Sequence, residues 1–120
     1  MIYIMYKRNQ IYRGEIYYAE LKGEGSQQDS IRPVIIYSNN KNNLFSPTVQ
    51  VIPLTTKMKE LCVHVLIEGC GLREPSMALL EQLTVINKTQ IREKIGMITD
   101  EYMDKINLAA DIQFARTEVS

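Results

Sequence analysis

Residues 31–56 read IRPVIIYSNNKNNLFSPTVQVIPLTT, and this stretch contains two β-branched and aromatic runs. The runs are Val34–Tyr37 and Val49–Leu54, and residues of these types favour β-strands. Four asparagines lie between the runs, in residues 39–43. Asparagine tolerates left-handed backbone and bonds to neighbouring backbone groups, so such a cluster favours a reversal of the chain. The stretch therefore predicts a β-hairpin.

One end of this hairpin carries reactive side chains. Arg32 precedes Pro33, and a proline restricts the residue before it to extended backbone, so the arginine should leave the sheet at a defined place. Thr55 and Thr56 close the second strand at what we expect to be the same end. A cation and a hydroxyl at one end of one hairpin predict a small polar site on a rigid support.

Outside the hairpin, the pattern predicts further short strands followed by one terminal helix. Apolar residues alternate in three more segments, residues 13–21, 61–68 and 77–86. Isoleucines at a short helical spacing predict a single helical turn over residues 89–95. Thr99 is a good N-cap for a helix that runs to about residue 116 and has one apolar stripe. We expect a mainly β fold, a small closed antiparallel barrel with a C-terminal α-helix.

Composition limits the class of protein. A chain of 120 residues is most naturally one domain, and no apolar run approaches the length of about 18 residues that spans a membrane. Formal net charge is zero, which argues against a protein that coats nucleic acid. Residues 1–99 nevertheless carry twelve basic and nine acidic side chains, a net charge of +3. Any contact with nucleic acid should therefore come from a local patch in that part.

The N-terminus and the cysteines indicate a cytoplasmic protein. Residues 1–6 are apolar, but Lys7 and Arg8 follow them, which is the reverse of a secretory signal. Cys62 and Cys70 are interpreted as reduced structural thiols, because two cysteines in such a chain give little support for a disulfide.

The inventory of side chains excludes several kinds of chemistry. The single histidine, His64, and two cysteines without a CxxC spacing argue against a zinc site, and His64 is interpreted as structural. The sequence contains no phosphate-binding loop, dinucleotide fingerprint or serine-nucleophile motif. An enzyme built from this chain should work without metal or cofactor, through arginine, hydroxyls, amides and one carboxylate at most.

Several short motifs occur in a characteristic order. They are R-G-E-I-Y-Y-A at 13–19, R-P-V-I-I at 32–36, S-N-N at 38–40, N-x-x-S-P-T at 43–48, P-L-T-T at 53–56, E-Q-L at 81–83 and I-N-K at 86–88. In this order and spacing they resemble the MazF/PemK family of toxin endoribonucleases, over roughly residues 12–114. The resemblance implies one toxin domain with SH3-like, CcdB/PemK-like topology, and residues 1–12 as an N-terminal extension.

The resemblance also implies an activity and its partners. Members are mRNA interferases of type II toxin–antitoxin systems, which cleave single-stranded RNA at specific sequences, without the ribosome and without a metal. The products implied are a 2′,3′-cyclic phosphate and a 5′-hydroxyl. The expected partners are a second copy of the chain in a homodimer, the RNA substrate, and a cognate antitoxin protein whose complex with the toxin binds DNA.

Catalytic positions carry over to two residues. The arginine of the R-P motif corresponds to Arg32, for which we expect a phosphate clamp and proton donor, and the threonine that ends the later strand corresponds to Thr55. Thr55 should offer its hydroxyl to a phosphoryl oxygen, and Thr56 replaces it if the register shifts by one. The side chains expected to bind RNA are Ser26, Gln28, Ser46, Thr56 and Gln82.

One departure from the family pattern leaves alternatives open. Many members have G-x-E-Q-x-G before the R-P motif, whereas this chain has GSQQDS at residues 25–30, so Gln27 occupies the glutamate position. Gln27 cannot act as a general base, and Glu24 and Asp29 are the nearby carboxylates. A weakened nuclease is one alternative. A non-cleaving toxin of the same fold that binds DNA gyrase, as CcdB-type toxins do, is another, and an SH3-like peptide-binding module is a distant third.

Overall fold

A computed structural model describes residues 10–23 and 30–118, and within them the chain forms seven β-strands and two α-helices. The strands are β1 (Glu15–Leu21), β2 (Ser30–Ile36), β3 (Thr48–Thr55), β4 (His64–Ile67), β5 (Ser76–Leu79), β6 (Thr84–Asn87) and β7 (Ile91–Met97). The helices are α1 (Asn40–Phe45) and α2 (Asp100–Gln113). Two short 3-10 turns, Leu80–Gln82 and Lys88–Gln90, precede β6 and β7 respectively.

Strand β3 has neighbours along both of its edges. On one edge it pairs antiparallel with β2, Ile35 opposite Ile52, so the predicted hairpin is confirmed. On the other edge its first half pairs with β6 and its last two residues with β5. The chain reversal between β2 and β3 is made by helix α1, which Asn39 caps by accepting a hydrogen bond from the backbone N–H of Asn42.

The mainly β antiparallel fold with a C-terminal helix is confirmed, but the sheet is open. The strand order is β4-β5-β3-β2-β1-β7, with β6 beside β3, and no pairing of described residues joins β4 to β7. Strand β4 packs against α2 instead, and the Tyr102 hydroxyl accepts a hydrogen bond from the backbone N–H of Glu68 just after β4. The sheet is therefore covered by the helix at β4 and is not closed by hydrogen bonds between β4 and β7.

Both faces of the central strands are buried, because apolar side chains alternate between two cores. On one face Ile35, Ile52 and Leu54 pack with Ile106 and Ala110 of α2. On the other face the core consists of Ala19, Val34, Ile36, Val49, Val51 and Ile86. The strict period of two in β2 and β3 therefore serves two separate clusters, which fixes the register of the pair.

Two segments differ from the sequence-based expectation. The helical turn predicted for residues 89–95 is confirmed only at Thr89 and Gln90, in the 3-10 turn, and is wrong from Ile91 onward, since Ile91–Met97 is a strand that pairs antiparallel with β1 through two register shifts. The isoleucine spacing resembles a helix only because those shifts interrupt the alternation expected of a strand. The single strand predicted over residues 77–86 is divided into β5 and β6 by the 3-10 turn at Leu80–Gln82.

A polar cluster fastens α2 to the start of the sheet. The Arg13 guanidinium donates to the Tyr37 carbonyl oxygen at 3.0 Å and to Asn107 Oδ1 at 3.0 Å, and it lies 4.8 Å from the centre of the Tyr37 ring. The Tyr37 hydroxyl donates to the same Asn107 oxygen at 2.7 Å. These contacts connect the segment that leads into β1, the residue after β2 and the middle of α2.

Candidate functional site

Arg32 lies near the start of β2, opposite Ala19 of β1, and its side chain is half-buried. Its guanidinium donates a hydrogen bond to the carbonyl oxygen of Leu54 at 3.3 Å. Leu54 immediately precedes Thr55, so the antiparallel pairing of β2 and β3 brings the arginine to the end of β3, as the sequence predicts. The contact uses one N–H of a group that has five, which leaves donors for a phosphate.

Thr55 is the last residue of β3 and is half-buried beside β5. Its hydroxyl oxygen accepts a hydrogen bond from the backbone N–H of Lys57 at 3.2 Å. This bond leaves the hydroxyl proton available, because the oxygen acts as acceptor. Thr56 follows outside the strand and is exposed.

A groove of about 710 Å³ adjoins Arg32. Its lining includes Pro53 of β3, and its polar residues follow β1, lie in the first half of β2 or belong to the chain from the first 3-10 turn to the second. The polar lining residues are Lys22, Ser30, Arg32, Glu81, Gln82, Thr84 and Gln90. Two cations, two amides, two hydroxyls and one carboxylate offer donors for a phosphodiester together with donors and acceptors for base edges.

The sequence-predicted residues are distributed unevenly around this groove. Arg32 and Gln82 line it, whereas Thr55 and Thr56 continue the chain just beyond Pro53 and are outside the lining. Ser46 is on the far side: it caps the end of α1, and its hydroxyl oxygen accepts the backbone N–H of Thr48 at the opposite end of β3. Ser26 and Gln28 lie outside the described residues, as do Gln27, Glu24 and Asp29.

Sequence reasoning missed Lys22, Ser30, Glu81, Thr84 and Gln90 as polar members of the groove. Lys22 follows β1, and the pairing of Leu21 with Ser30 sets it beside the start of β2. Glu81 faces a partner that the sequence does not suggest, His64, whose Nε2 lies 2.8 Å from Glu81 Oε2. The signal available was the E-Q dipeptide itself, which places two polar side chains within an otherwise apolar run.

The residues described include no group of three or more histidine, cysteine, aspartate or glutamate side chains that could hold a metal ion. Cys62 is exposed and Cys70 partly buried, both as free thiols. Over residues 10–23 and 30–118, no helix is long and apolar enough to cross a membrane.

Comparison with known proteins decides the family. Residues 12–114 match the family model described as a PemK-like, MazF-like toxin of type II toxin–antitoxin systems. The chain belongs to this family. The resemblance seen in the order of the sequence motifs is thereby confirmed, and the matched residues include every described element from β1 to α2.

Curated relatives support the same assignment to the PemK/MazF family. The chain is 38% identical over 108 residues to "Endoribonuclease EndoA" of Bacillus subtilis, covering 86% of this chain and 93% of that protein. It is 38% identical over 105 residues to "Endoribonuclease MazF" of Staphylococcus saprophyticus, covering 83% and 88%.

Solved structures of this family share the fold. A mycobacterial endoribonuclease in complex with its cognate antitoxin superposes with a TM-score of 0.78 at 24% identity, covering 91% of this chain and 99% of that one. A MazF from Deinococcus radiodurans also reaches a TM-score of 0.78, at 14% identity, covering 90% and 99%. At such identities the likeness is one of fold.

Proposed function

We propose that this PemK/MazF-family chain is a ribosome-independent, sequence-specific endoribonuclease toxin that cleaves single-stranded RNA without a metal ion. It acts in the cytoplasm as a homodimer, and a cognate antitoxin protein neutralises it. Single-stranded RNA is the natural substrate class, because sequence readout in RNA relies on unpaired bases. The relatives named as endoribonucleases, and the related toxin solved with its antitoxin, support this proposal.

The RNA supplies its own nucleophile, so the protein needs only to position the chain, help to move protons and stabilise charge on the phosphoryl oxygens. The 2′-oxygen of one nucleotide attacks the adjacent phosphorus and its proton passes to water. The bond from phosphorus to the 5′-oxygen breaks, the 5′-oxygen takes a proton from Arg32, and Arg32 regains one from water. The products are a 2′,3′-cyclic phosphate and a 5′-hydroxyl. Arg32 clamps the phosphoryl oxygens and supplies the proton to the leaving oxygen, and Thr55 donates its hydroxyl to a phosphoryl oxygen. Fixed donors aimed at developing charge are often the largest contribution to catalysis.

The observation that carries the proposal is the position of Arg32. Its guanidinium is held at the Leu54 carbonyl, next to Thr55, while the same side chain lines the groove with Gln82. Gln82 is exposed at the end of a 3-10 turn, where its amide offers both a donor and an acceptor to a base edge. Ser26, Gln28, Ser46 and Thr56 complete the proposed RNA contacts.

A cleavage assay with excess chelator tests this function. Purified protein is mixed with a long unstructured RNA, and the 5′ ends of the fragments are examined. The wild-type protein should give discrete fragments with 5′-hydroxyl ends. Arg32→Ala should lower the rate by at least about 10²-fold, the usual effect of removing one donor to a developing oxyanion. Arg73→Ala removes an exposed arginine outside the groove lining and serves as the matched control.

Intact RNA with a folded wild-type protein would refute the nuclease proposal and favour binding of a protein target by a non-cleaving toxin. Equal cleavage by the Arg32→Ala and wild-type proteins would instead remove Arg32 from the mechanism.

A weakened nuclease is favoured by one specific feature, glutamine at position 27. In that case RNA binds normally and is cut slowly, and Gln27→Glu should raise the single-turnover rate. Gln113→Glu adds the same charge at an exposed position of α2 outside the groove lining and should leave the rate unchanged. Equal rates for Gln27→Glu and wild type would argue against the weakened nuclease.

A further inference from the structure

His64 lies at the start of β4, and its side chain is only 3% exposed. Both ring nitrogens have partners. Nδ1 lies 2.6 Å from the carbonyl oxygen of Lys59, and Nε2 lies 2.8 Å and 3.0 Å from the two carboxylate oxygens of Glu81. The ring therefore bridges two segments that are separate in the chain.

The two partners of the ring are acceptors only. A backbone carbonyl and an ionised carboxylate carry no proton, so each contact requires an N–H from the imidazole. A neutral ring has a single N–H and satisfies one partner, whereas a protonated ring satisfies both. The His64 side chain is only 3% exposed, so its hydrogen bond to Glu81 is shielded from water on the histidine side, where it is stronger than on an open surface.

Each partner belongs to a segment that borders the proposed site. Glu81 lines the groove and immediately precedes Gln82 in the 3-10 turn. Lys59 belongs to residues 57–61, the connection that starts just after Thr55 and Thr56. The backbone N–H of His64 also donates to the Leu61 carbonyl oxygen at 2.9 Å, which ties the end of this connection to the same residue.

We propose that His64 is a positioning residue for RNA recognition, holding the Glu81–Gln82 wall of the groove and the 57–61 connection in one fixed arrangement. The inference rests on the proposed function and assigns to the histidine a role that touches no RNA. The Nε2 bond fixes the carboxylate of Glu81 and with it the turn that carries Gln82. The Nδ1 bond fixes the chain that leaves the Thr55 end of β3. Loss of either bond should weaken binding of the specific RNA more than it slows the chemical step.

Two conservative variants separate the two bonds. The amide nitrogen of asparagine takes the place of Nδ1, so His64→Asn keeps the bond to Lys59 and loses the bond to Glu81. The amide nitrogen of glutamine takes the place of Nε2, so His64→Gln keeps the bond to Glu81 and loses the bond to Lys59. Leu66→Ala, on the same strand and at a side chain that is 40% exposed, is the control.

The first readout is cleavage of a short RNA that contains one cut site found with the wild-type protein. His64→Asn should raise KM by about tenfold and change kcat by less than about threefold, because the lost interaction orders the binding wall rather than the reacting atoms. The double variant His64→Asn/Glu81→Ala should be little worse than either single variant, since each substitution removes the same interaction. A merely structural role would instead lower the melting temperature without moving KM.

The second readout needs no RNA. Backbone ¹⁵N order parameters of residues 57–61 should fall below about 0.6 in His64→Gln and stay near the wild-type value in His64→Asn and Leu66→Ala. If the wild-type protein cuts RNA and His64→Asn has the same KM, the inference about His64 is overturned and the nuclease function remains supported. A wild-type protein that cuts nothing would overturn the proposed function and the role in RNA recognition. Unchanged order parameters in His64→Gln would separately refute the claim that the Nδ1 bond orders residues 57–61.

Discussion

At the scale of single residues, substitutions that remove or keep the Thr55 hydroxyl test whether this residue takes part in the proposed reaction or only belongs to a strand. Valine has nearly the same shape without the hydroxyl, and serine keeps the hydroxyl without the methyl group. Thr55→Val should lower kcat by about 10²-fold, because one donor to the phosphoryl oxygen is lost. Thr55→Ser should remain within about threefold of wild type. Single-turnover cleavage of the same RNA measures both.

The fold of both Thr55 variants can be checked independently of catalysis. The bond that Lys57 donates to the Thr55 hydroxyl is exposed, so its loss should cost about 1 kcal/mol or less of unfolding free energy. If Thr55→Val cleaves as fast as Thr55→Ser, the hydroxyl is not part of the mechanism. In that event the same pair of substitutions at Thr56 tests whether the neighbouring hydroxyl serves instead.

Tyr37 should give the protein a measurable pH dependence. Burial raises the pKa of its phenol above the ordinary value of 10.0, although the charge and hydrogen bond of Arg13 partly oppose this. The folded state thus prefers the protonated phenol, so the stabilisation is complete below pH 10 and is lost as the pH rises through the raised pKa. Tyr37→Phe should lose less unfolding free energy than wild type between about pH 9 and pH 11.

The same substitution has a cost at neutral pH. The Tyr37 hydroxyl donates to Asn107 Oδ1, and removal of this half-buried bond should lower the unfolding free energy by about 1 kcal/mol. Urea titrations of wild type and Tyr37→Phe at neutral pH and above pH 10 measure the lost hydrogen bond and the effect of the raised pKa respectively. Parallel losses of stability for wild type and Tyr37→Phe above pH 10 would contradict the assignment of the raised pKa.

At the scale of elements, the turn after β4 and strand β7 approach each other backbone to backbone. A methyl group added at Gly71 would overlap the Ile95 carbonyl oxygen, and one added at Gly96 would overlap the Cys70 carbonyl oxygen. Gly71 also has a φ of +90°, which side chains rarely adopt. Gly71→Ala and Gly96→Ala should each destabilise the protein by about 3 kcal/mol, because the added methyl group clashes with a carbonyl oxygen and, at Gly71, also strains the backbone.

Gly69 provides the matched control for this contact. Its φ is +71°, but an added Cβ would meet nothing within 4 Å. Gly69→Ala should therefore cost only about 1 kcal/mol, from backbone strain alone. The urea midpoints of the three variants give the comparison. Equal midpoints for Gly69→Ala and Gly71→Ala would show that the close approach of Gly71 to Ile95 does not affect stability.

How far the elements could be predicted depends on whether their signals are local. The β2–β3 pair was predictable because both strands keep a period of two and the asparagines between them favour a reversal. Strand β7 was not, because its pairing with β1 is non-local and two register shifts break its alternation. The 3-10 turn at Leu80–Gln82 interrupts an apolar run without a glycine or proline to mark it.

The candidate site was predictable only where a motif fixes the backbone. Arg32 and Thr55 follow from the R-P and P-L-T-T motifs, and antiparallel pairing then brings them to one end. The contact between His64 and Glu81 joins strand β4 to a turn seventeen residues further along the chain, and no short pattern encodes such a distance. Lys22 enters the groove through the register of β1 with β2, which composition does not reveal.

At the scale of the whole molecule, charge is divided between the sheet and the C-terminal part. Residues 1–99 carry a net charge of +3, and residues 100–120 carry five acidic and two basic side chains. Of the described residues that line the groove, only Lys22 and Arg32 are cations. The electrostatic part of RNA binding should therefore come from few phosphate contacts.

The dependence of RNA affinity on salt should reflect this small number. Two phosphate contacts on a single strand predict a slope of about −1.4 for the logarithm of the association constant against that of the salt concentration. Lys22→Ala should reduce the slope by about 0.7 and weaken all RNA sequences alike. Binding is measured with an RNA carrying 2′-O-methyl groups, which lacks the attacking hydroxyl. A slope several times steeper would mean that cations outside the groove also bind RNA phosphates.

In chain order, the residues that line the groove begin at Leu21 and end at Gln90, and they include Pro53 of β3. No shorter piece of the chain contains all of these side chains. During translation, a chain that has emerged only as far as β3 has Arg32 but lacks the wall that carries Gln82. The growing chain is thus unable to assemble the groove until Gln90 has left the ribosome, so the proposed RNA binding requires that every segment from β1 to the second 3-10 turn has already been synthesised.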